Sequence, residues 1–432
     1  MTTLGQVAGM AGMVNRVSGS AAASLLGLAD PAPSRPSHAA STGSRGAALV
    51  TSASTAPAGD DAFRSAYRIS GNQLVLLDQR VIPEKLEDLV ARRGSDVAYY
   101  LRLGACRGGA VMAQVAAYGL ALTAGERATQ PTAARDSELE RTRQALASAR
   151  PSSRLPIWAM ERMESVRAGL DEADDGDAVA AALRAEADAI AADVQSGHAA
   201  IVAALIETLG GPLDRPLGVL IHGDPGALSG GLVGTGITAL RGLRDEGRQV
   251  SVFVTETRPF MDGARLASWE LRHAGIAHRV IPDSAVAWLF DRETIDAVLI
   301  GAEWIAANGD SGAVIGSRAI ALLAAAVADD PGQAPPRVIV CGLSATIDPT
   351  TPDGHAIPVE LRPARDQAAY LAGLSIRVSD ALVPAADVMP AGTIAALVTE
   401  RGVLVPPSAP AIAELIASSE ATAPIGPSGT AN

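Results

Sequence analysis

The chain has 432 residues, of which 48% are hydrophobic and only 3% are aromatic. This length is enough for two domains, with cores built mainly from Ala, Val, Leu and Ile. The formal net charge of −12 disfavours nonspecific binding to nucleic acid, which needs a basic surface. We therefore expect no nucleic-acid partner.

The cysteine content and the hydropathy indicate a cytoplasmic protein. The two cysteines, Cys106 and Cys341, lie far apart and outside any Cys-x-x-Cys pattern, which excludes a disulfide framework and a typical zinc site. No apolar run reaches the ~18–20 residues that a membrane span needs. The N-terminus also lacks the basic and apolar segments of a secretory signal, so we expect no membrane partner.

Changes in composition divide the chain into four segments. Residues 1–62 are rich in Ala, Ser, Gly, Thr and Pro and are predicted to form a disordered low-complexity tail. Residues 63–209 are predicted to form a mainly helical N-terminal domain, and residues 210–405 a C-terminal domain. Residues 406–432 begin with two prolines and are predicted to form a flexible C-terminal tail.

The N-terminal domain shows mostly helical spacing of its apolar residues. One alternating segment predicts a strand at 73–77. Helices are predicted at 83–93, 96–103, 108–122, 135–149, 158–170 and 178–209. The last of these is Ala-rich, and we expect a break near Gly197.

After Gly210 and Gly211 short apolar strands alternate with helices. The strands are predicted at 217–221, 249–255, 278–281, 297–300, 337–341 and 374–377. The helices are predicted at 232–246, 263–274, 284–290, 313–328 and 391–400. This alternation predicts an α/β fold whose Rossmann-like parallel sheet is covered by helices on both faces. Ligands of such sheets bind at the carboxyl ends of the strands.

A glycine-rich turn at 221–231 follows the first of these strands and leads into a helix. Backbone N–H groups at such a turn can bind an anion. Gly223 lies where this kind of loop could have carried a catalytic side chain. His222 next to it is either a hydrogen-bonded buried histidine or a catalytic one.

Further candidates follow the other strands. Arg258 either binds a phosphate or carboxylate or pairs with Glu256 to fix its loop. Glu303 is either a general acid/base whose pKa is raised by burial or a salt-bridged carboxylate. Asp310 belongs to an Asn-Gly-Asp turn and either lies at the binding site or caps the next helix.

The helical region adds a second group of candidates. Arg107, Gly108 and Gly109 precede an Ala-rich helix and suit either a phosphate oxyanion or a tight packing turn. Arg150 and Arg154 also precede a helix and are either anion ligands or surface residues. Cys106 is either a small core residue or a nucleophile.

Taken together, these segments resemble the family that contains methylthioribose-1-phosphate isomerase, ribose-1,5-bisphosphate isomerase and the alpha, beta and delta regulatory subunits of translation initiation factor 2B. The resemblance runs from about residue 74 to residue 406. It is carried by Leu77-Asp78-Gln79-Arg80, Arg107-Gly108, Tyr118-Gly119-Leu120, Arg150-Pro151, Trp158-Ala159-Met160-Glu161, Glu256-Thr257-Arg258-Pro259, Gly263-Ala264-Arg265, Asp283-Ser284-Ala285, Asn308-Gly309-Asp310 and Thr346-Ile347-Asp348. It implies a homodimer that binds a sugar phosphate in a crevice between the domains, with no metal and no cofactor.

The resemblance also implies site residues. The isomerases of the family open an aldose 1-phosphate and convert it to a ketose phosphate with a cysteine and an aspartate. In this chain Gly223 stands at the cysteine position and Glu303 at the aspartate position. Asp262 stands in place of a glutamine, and Ala313-Val314 in place of an asparagine–lysine pair.

Two functional hypotheses follow. In the first, the protein is an isomerase of a ribose-1-phosphate-like sugar, with Glu303 as the main acid/base and Asp224 or Asp262 as the second group. Its predicted binding residues are Arg107, Gly108, Gly109, Arg150, Gly223, Arg258 and Asp310. In the second, it is a non-catalytic protein that senses a sugar phosphate or nucleotide or acts as a scaffold.

A third, weaker reading of the same pocket is a metal site. His222, Asp224, Asp262 and Glu303 offer the nitrogen and oxygen ligands that such a site needs.

Overall fold

The structure is a computed structural model that describes residues 63–171, 175–211, 214–327, 334–368 and 381–420. The predicted N-terminal tail at 1–62 and the predicted strand at 374–377 lie outside the described residues. Residues from Gly59 onwards belong to one unit, which contains both predicted domains.

The first part of this unit is a small sheet followed by five helices. The strands β1 (Tyr67–Ser70), β2 (Gln73–Leu77) and β3 (Asp88–Ala91) form an antiparallel sheet. The helices are α1 (Gly94–Leu103), α2 (Gly109–Arg127), α3 (Thr132–Ala147), α4 (Arg154–Ala168) and α5 (Gly176–Leu209). This part of the unit is therefore mainly helical, but the helix expected at 83–93 is wrong. Residues 88–91 pair with β2 instead, so tertiary contacts override the helical pattern of this segment.

Helix α5 runs without a break through Gly197. A Cβ atom on Gly197 would lie 2.6 Å from a methyl carbon of Leu343, so this glycine permits close packing and does not end the helix. Among the described residues, α5 is the one helix that is long and apolar enough to cross a membrane. Leu183, Ile190 and Ile201 are nevertheless fully buried in the protein core, which accounts for the apolar face of the helix.

The second part of the unit alternates strands and helices. Its strands are β4 (Leu217–His222), β5 (Val250–Thr255), β6 (His278–Ile281), β7 (Ala297–Gly301), β8 (Trp304–Ala306), β9 (Ser311–Val314), β10 (Arg337–Cys341), β11 (Ile347–Asp348), β12 (Leu361–Arg362), β13 (Val383–Pro384), β14 (Ala386–Met389), β15 (Ala396–Thr399) and β16 (Gly402–Leu404). Its helices are α6 (Ala227–Gly230), α7 (Gly236–Asp245), α8 (Ser268–His273), α9 (Val286–Arg292), α10 (Ser317–Ala326) and α11 (Ala409–Glu420).

Seven of these strands form the main sheet, in the order β16-β15-β10-β7-β4-β5-β6. All neighbouring pairs are parallel except β15 and β16. Alternate residues of β4 contribute to two different core clusters, because Val219 and Ile221 belong to one and Leu220 to the other. The predicted α/β fold with a largely parallel sheet is confirmed. The order of the parallel strands reverses between β4 and β7, where ligands of doubly wound sheets bind.

The sixth parallel strand comes from a segment that was predicted to be a helix. Residues 391–400 contain a short 3₁₀ turn and then β15, which pairs with β10. Ala396, Leu397 and Val398 are all buried. A strand that is buried on both faces is apolar throughout, so its periodicity does not distinguish it from a buried helix.

Two further boundaries differ from the predictions. The helix expected at 313–328 begins only at Ser317, because residues 311–314 form β9 and pair with β8 and β14. Part of the segment predicted as a flexible C-terminal tail forms α11. Ile412 and Leu415 of this helix are buried in the core, which fixes it to the sheet.

A buried carboxylate holds the glycine-rich turn after β4. Glu270 of α8 is 5% exposed and accepts hydrogen bonds from the backbone N–H groups of Ala227 and Leu228, each at 2.7 Å. A Cβ atom on Gly226 would lie within 2.5 Å of this carboxylate, so the glycine makes room for it. The N–H groups that could have bound a phosphate at this turn are therefore occupied by the protein's own side chain.

Replacing Glu270 by Ala leaves these two N–H groups buried without an acceptor. We expect the free energy of unfolding to fall by about 2–6 kcal/mol, because each of the two unsatisfied buried donors costs about 1–3 kcal/mol. Urea unfolding followed by circular dichroism measures the change. The control is Glu161→Ala, which removes a half-exposed carboxylate and should change stability by about 0.5 kcal/mol or less. Equal losses in the two variants would contradict this role for Glu270.

Gly223 adopts a backbone conformation that disfavours a side chain. Its φ is +84°, and a Cβ atom would lie 3.2 Å from Val314 Cγ1. We expect Gly223→Ala to lower the free energy of unfolding by about 1–3 kcal/mol. The matched control is Gly71→Ala, with φ +55° and no atom within 4 Å of the added carbon, which isolates the backbone effect. A loss in Gly223→Ala no larger than in Gly71→Ala would show that the Val314 contact adds nothing.

Candidate functional site

A cavity of about 140 Å³ lies where β4 and β7 end, next to the beginning of α2. The three predicted catalytic residues, Glu303, Asp224 and Asp262, all line it. Five of the predicted binding residues line it as well: Arg107, Gly108, Gly109, Arg150 and Gly223. The loops that follow the strands supply four of these residues, Gly223, Asp224, Asp262 and Glu303, and the helical first part supplies the other four.

Two predicted binding residues do not line this cavity. The loop of Arg258 is fixed by Asp283, whose carboxylate accepts the N–H groups of Thr257 and Arg258 at 2.8 and 2.7 Å. Asp310 accepts the N–H groups of Gly354 and Ala391 at 2.9 and 2.8 Å and so joins three loops. The Arg258 loop and the Asp310 turn therefore have structural roles. Asp310 does not cap the helix that follows it.

Glu303 follows β7 and meets the beginning of α2. Its Oε1 accepts the backbone N–H of Gly109 at 3.2 Å, and its Oε2 is buried without a hydrogen bond of ordinary geometry. A Cβ atom on Gly109 would lie 3.0 Å from Oε2, so a glycine is needed for this approach. Burial raises the pKa of Glu303, although Ser153, Arg150 and the Gly109 N–H act in the opposite direction. The carboxyl therefore retains its proton at higher pH than an exposed glutamate does.

Asp224 and Asp262 form the acidic wall of the cavity. One oxygen of each carboxyl is buried without a hydrogen-bond partner, Oδ2 of Asp224 and Oδ1 of Asp262. Burial raises the pKa of Asp224 well above its ordinary value, and the neighbouring carboxyls of Glu270 and Asp262 add to the shift. Asp224 therefore retains its proton at higher pH than an exposed aspartate does.

Both arginines that line the cavity are paired with carboxylates of the chain. Nε and Nη2 of Arg107 each lie 2.9 Å from Oδ2 of Asp262, and its guanidinium stacks on Phe260. Nε of Arg150 lies 3.0 Å from Glu360, which also binds Arg362 at 2.7 Å. These pairs are largely buried, so little water screens them.

His222 is a hydrogen-bonded buried histidine. Its Nδ1 lies 2.7 Å from the hydroxyl of Thr255, and its Nε2 lies 3.0 Å from the carbonyl oxygen of Ile315. Burial lowers the pKa of His222, so the ring is neutral, with Nε2 donating and Nδ1 accepting. Within the described part of the chain, no group of three or more His, Cys, Asp or Glu side chains is arranged to hold a metal ion. The metal reading of His222, Asp224, Asp262 and Glu303 is therefore not supported.

Neither cysteine is a reactive thiol. Cys106 and Cys341 are buried, and burial raises the pKa of each to about 12. Both thiols therefore remain protonated at neutral pH, and the thiolate is the nucleophilic form. Cys106 is a small core residue.

The sequence did not single out three polar residues that shape the site. Glu270 holds the turn, Glu360 neutralises Arg150, and Ser153 lies beside Glu303. Glu360 is distant in sequence from Arg150 and follows no apolar strand, so no local pattern marks it. Glu270 lies within the helix predicted at 263–274, where a surface carboxylate gives the same pattern.

Comparisons with known proteins agree with this architecture. The profile of the Initiation factor 2 subunit family matches residues 105–406. A methylthioribose-1-phosphate isomerase of Chloroflexus aurantiacus is 38% identical over 346 residues, which are 79% of this chain and 95% of that protein. A methylthioribose-1-phosphate isomerase of Oleidesulfovibrio alaskensis is 37% identical over 363 residues, which are 82% of this chain and 97% of that protein.

Solved structures share the fold. The 5-methylthioribose 1-phosphate isomerase of Pyrococcus horikoshii superposes with a TM-score of 0.71 at 24% identity, over 82% of this chain and 96% of that one. The delta subunit of translation initiation factor eIF-2B from A. fulgidus gives a TM-score of 0.64 at 25% identity, over 81% and 99%. The matched profile and the near full-length relatives agree, and the chain belongs to the Initiation factor 2 subunit family.

Proposed function

We propose that this protein is an isomerase that converts a ribose-1-phosphate-like aldose to the corresponding ketose phosphate. The observation that carries the proposal is the position of Glu303, a carboxyl with a raised pKa at the switch point of the sheet, in one cavity with Arg107 and Arg150. Relatives that match nearly their whole length are named methylthioribose-1-phosphate isomerases, which supports the same class of reaction.

In this proposal Glu303 moves the proton. Once the ring oxygen is protonated and the sugar ring is open, a carboxylate removes the proton from C2 and the resulting acid returns it to C1. The hydroxyl proton of O2 passes to the group that protonated the ring oxygen, so that C2 becomes the ketone carbon and no atom is gained or lost. Such a group works best when its pKa lies near the working pH. Burial shifts the pKa of Glu303 in that direction.

The second acid/base group in this proposal comes from the acidic wall. Gly223 has no side chain, at the position where the resembled isomerases carry a cysteine. Asp224 lies next to it, and its raised pKa suits a group that protonates the ring oxygen as the ring opens. Asp262 is the other carboxyl of the wall and remains the alternative.

Arg107 and Arg150, with Gly108, Gly109 and Gly223, are the proposed phosphate side of the site. We also propose that the protein acts as a cytoplasmic homodimer. Analytical ultracentrifugation should give twice the 43.8 kDa mass of the chain. A monomer at micromolar concentration would contradict the dimer and leave the reaction to be tested separately.

The alternative is a protein that binds a sugar phosphate or nucleotide without converting it. The specific observation in its favour is that every guanidinium lining the cavity is already paired with a carboxylate among the described residues. Titration calorimetry beside a turnover assay distinguishes the two: binding without conversion supports the sensing or scaffold role.

Replacing Glu303 by Gln keeps the shape of the side chain and removes its titratable proton. We expect kcat to fall by about 100-fold to 10,000-fold, which is the range that a general acid/base contributes. The assay incubates the protein with 5-methylthioribose 1-phosphate or ribose 1-phosphate and follows the ketose phosphate by NMR.

The matched control is Glu161→Gln, which makes the same change at a half-exposed carboxylate outside the cavity. Its turnover should equal that of the unmodified protein. Turnover that survives Glu303→Gln would remove Glu303 from the reaction, and binding without any turnover of either sugar would favour the alternative.

A further inference from the structure

We propose that Asp262 is an internal counter-ion that occupies the anion site of Arg107 and that an anionic ligand must displace it. This inference rests on the proposed function only in taking a sugar phosphate as the ligand. It concerns binding and does not depend on turnover.

The first support is the form of the ion pair. Nε and Nη2 of Arg107 both lie 2.9 Å from a single oxygen, Oδ2 of Asp262. The guanidinium fork matches two oxygens of a carboxylate or phosphate. Because Asp262 offers only one, its Oδ1 remains buried without a partner, and the pair is less complete than the one a phosphate could make.

The second support is that Arg107 is held in place independently of Asp262. Its guanidinium lies 4.0 Å from the ring centroid of Phe260, and its backbone N–H donates to Oε1 of Gln79 at 2.9 Å. The side chain of Arg107 is 12% exposed and lines the cavity. The guanidinium is therefore already in position to bind a ligand, and Asp262 is the residue that has to move.

The third support is the charge that surrounds Asp262. Asp224 from the turn after β4 and the neutral His222 of β4 both interact with Asp262 electrostatically, and Glu270 of α8 adds a second carboxyl near Asp224. None of these neighbours is positively charged, so the ion pair of Asp262 is made with Arg107. An anion that binds Arg107 therefore competes directly with Asp262.

The experiment is titration calorimetry of ribose 1-phosphate into the full chain. The test uses pH 7.0–8.5, where a phosphate monoester with a second pKa of about 6 is already a dianion. Asp262→Asn removes the charge and keeps the size of the side chain, and Asp262→Gln is the second variant. We expect each to bind at least tenfold more tightly than the unmodified protein. Thermal unfolding verifies that each variant is folded.

The matched control is Asp245→Asn, the same change at an exposed residue of α7. It should leave the affinity unchanged, which separates displacement of Asp262 from a general loss of negative charge. The proposal is overturned if the Asp262 variants bind no more tightly or if none of the proteins binds ribose 1-phosphate. A failure of turnover alone would count against the isomerase and not against this inference.

Discussion

The interaction on which the site depends is the pairing of buried carboxylates with groups that would otherwise bind an anion. Glu270 occupies the N–H groups at the start of α6, and Glu303 occupies one at the start of α2. Asp262 and Glu360 occupy Arg107 and Arg150. Because a buried carboxylate without partners is strongly unfavourable, the pairs made by Glu303, Asp262 and Glu360 fix how the helices of the first part meet the sheet of the second.

The carboxyls differ in how many of their oxygens are hydrogen-bonded. This difference distinguishes the carboxyl with a purely structural role from those that can take part in chemistry. Glu270 uses both carboxyl oxygens, one for each backbone N–H, and leaves nothing for a ligand. Asp224, Asp262 and Glu303 each keep one buried oxygen that accepts no hydrogen bond of ordinary geometry. All three line the same cavity, whereas Glu270 does not. The incompletely paired carboxyls are therefore the ones available for proton transfer or for exchange with a ligand.

The sequence predicted the strands of the sheet better than it predicted the side-chain contacts of the site. Five of its parallel strands could be found because apolar β-branched runs between helices have few other interpretations, and the carboxyl ends of β4 and β7 then located the cavity. The strand at residues 396–399 was missed because a strand buried on both faces has no period of two. Glu360 could not be found at all, since its partner Arg150 is 210 positions away in the chain.

The backbone conformation of Gly223 and the residues around it together disfavour any side chain at this position. The turn needs φ +84° at Gly223, and Val314 fills the space into which a side chain would point. The N–H of Gly223 donates to the hydroxyl of Thr257, which in turn contacts Thr255, the partner of His222. A side chain added at Gly223 would therefore strain the turn and press on Val314 without gaining a partner for its own polar atom. In the proposed reaction the acid/base groups therefore have to come from the walls of the cavity, where the fold places the carboxyls of Asp224, Asp262 and Glu303.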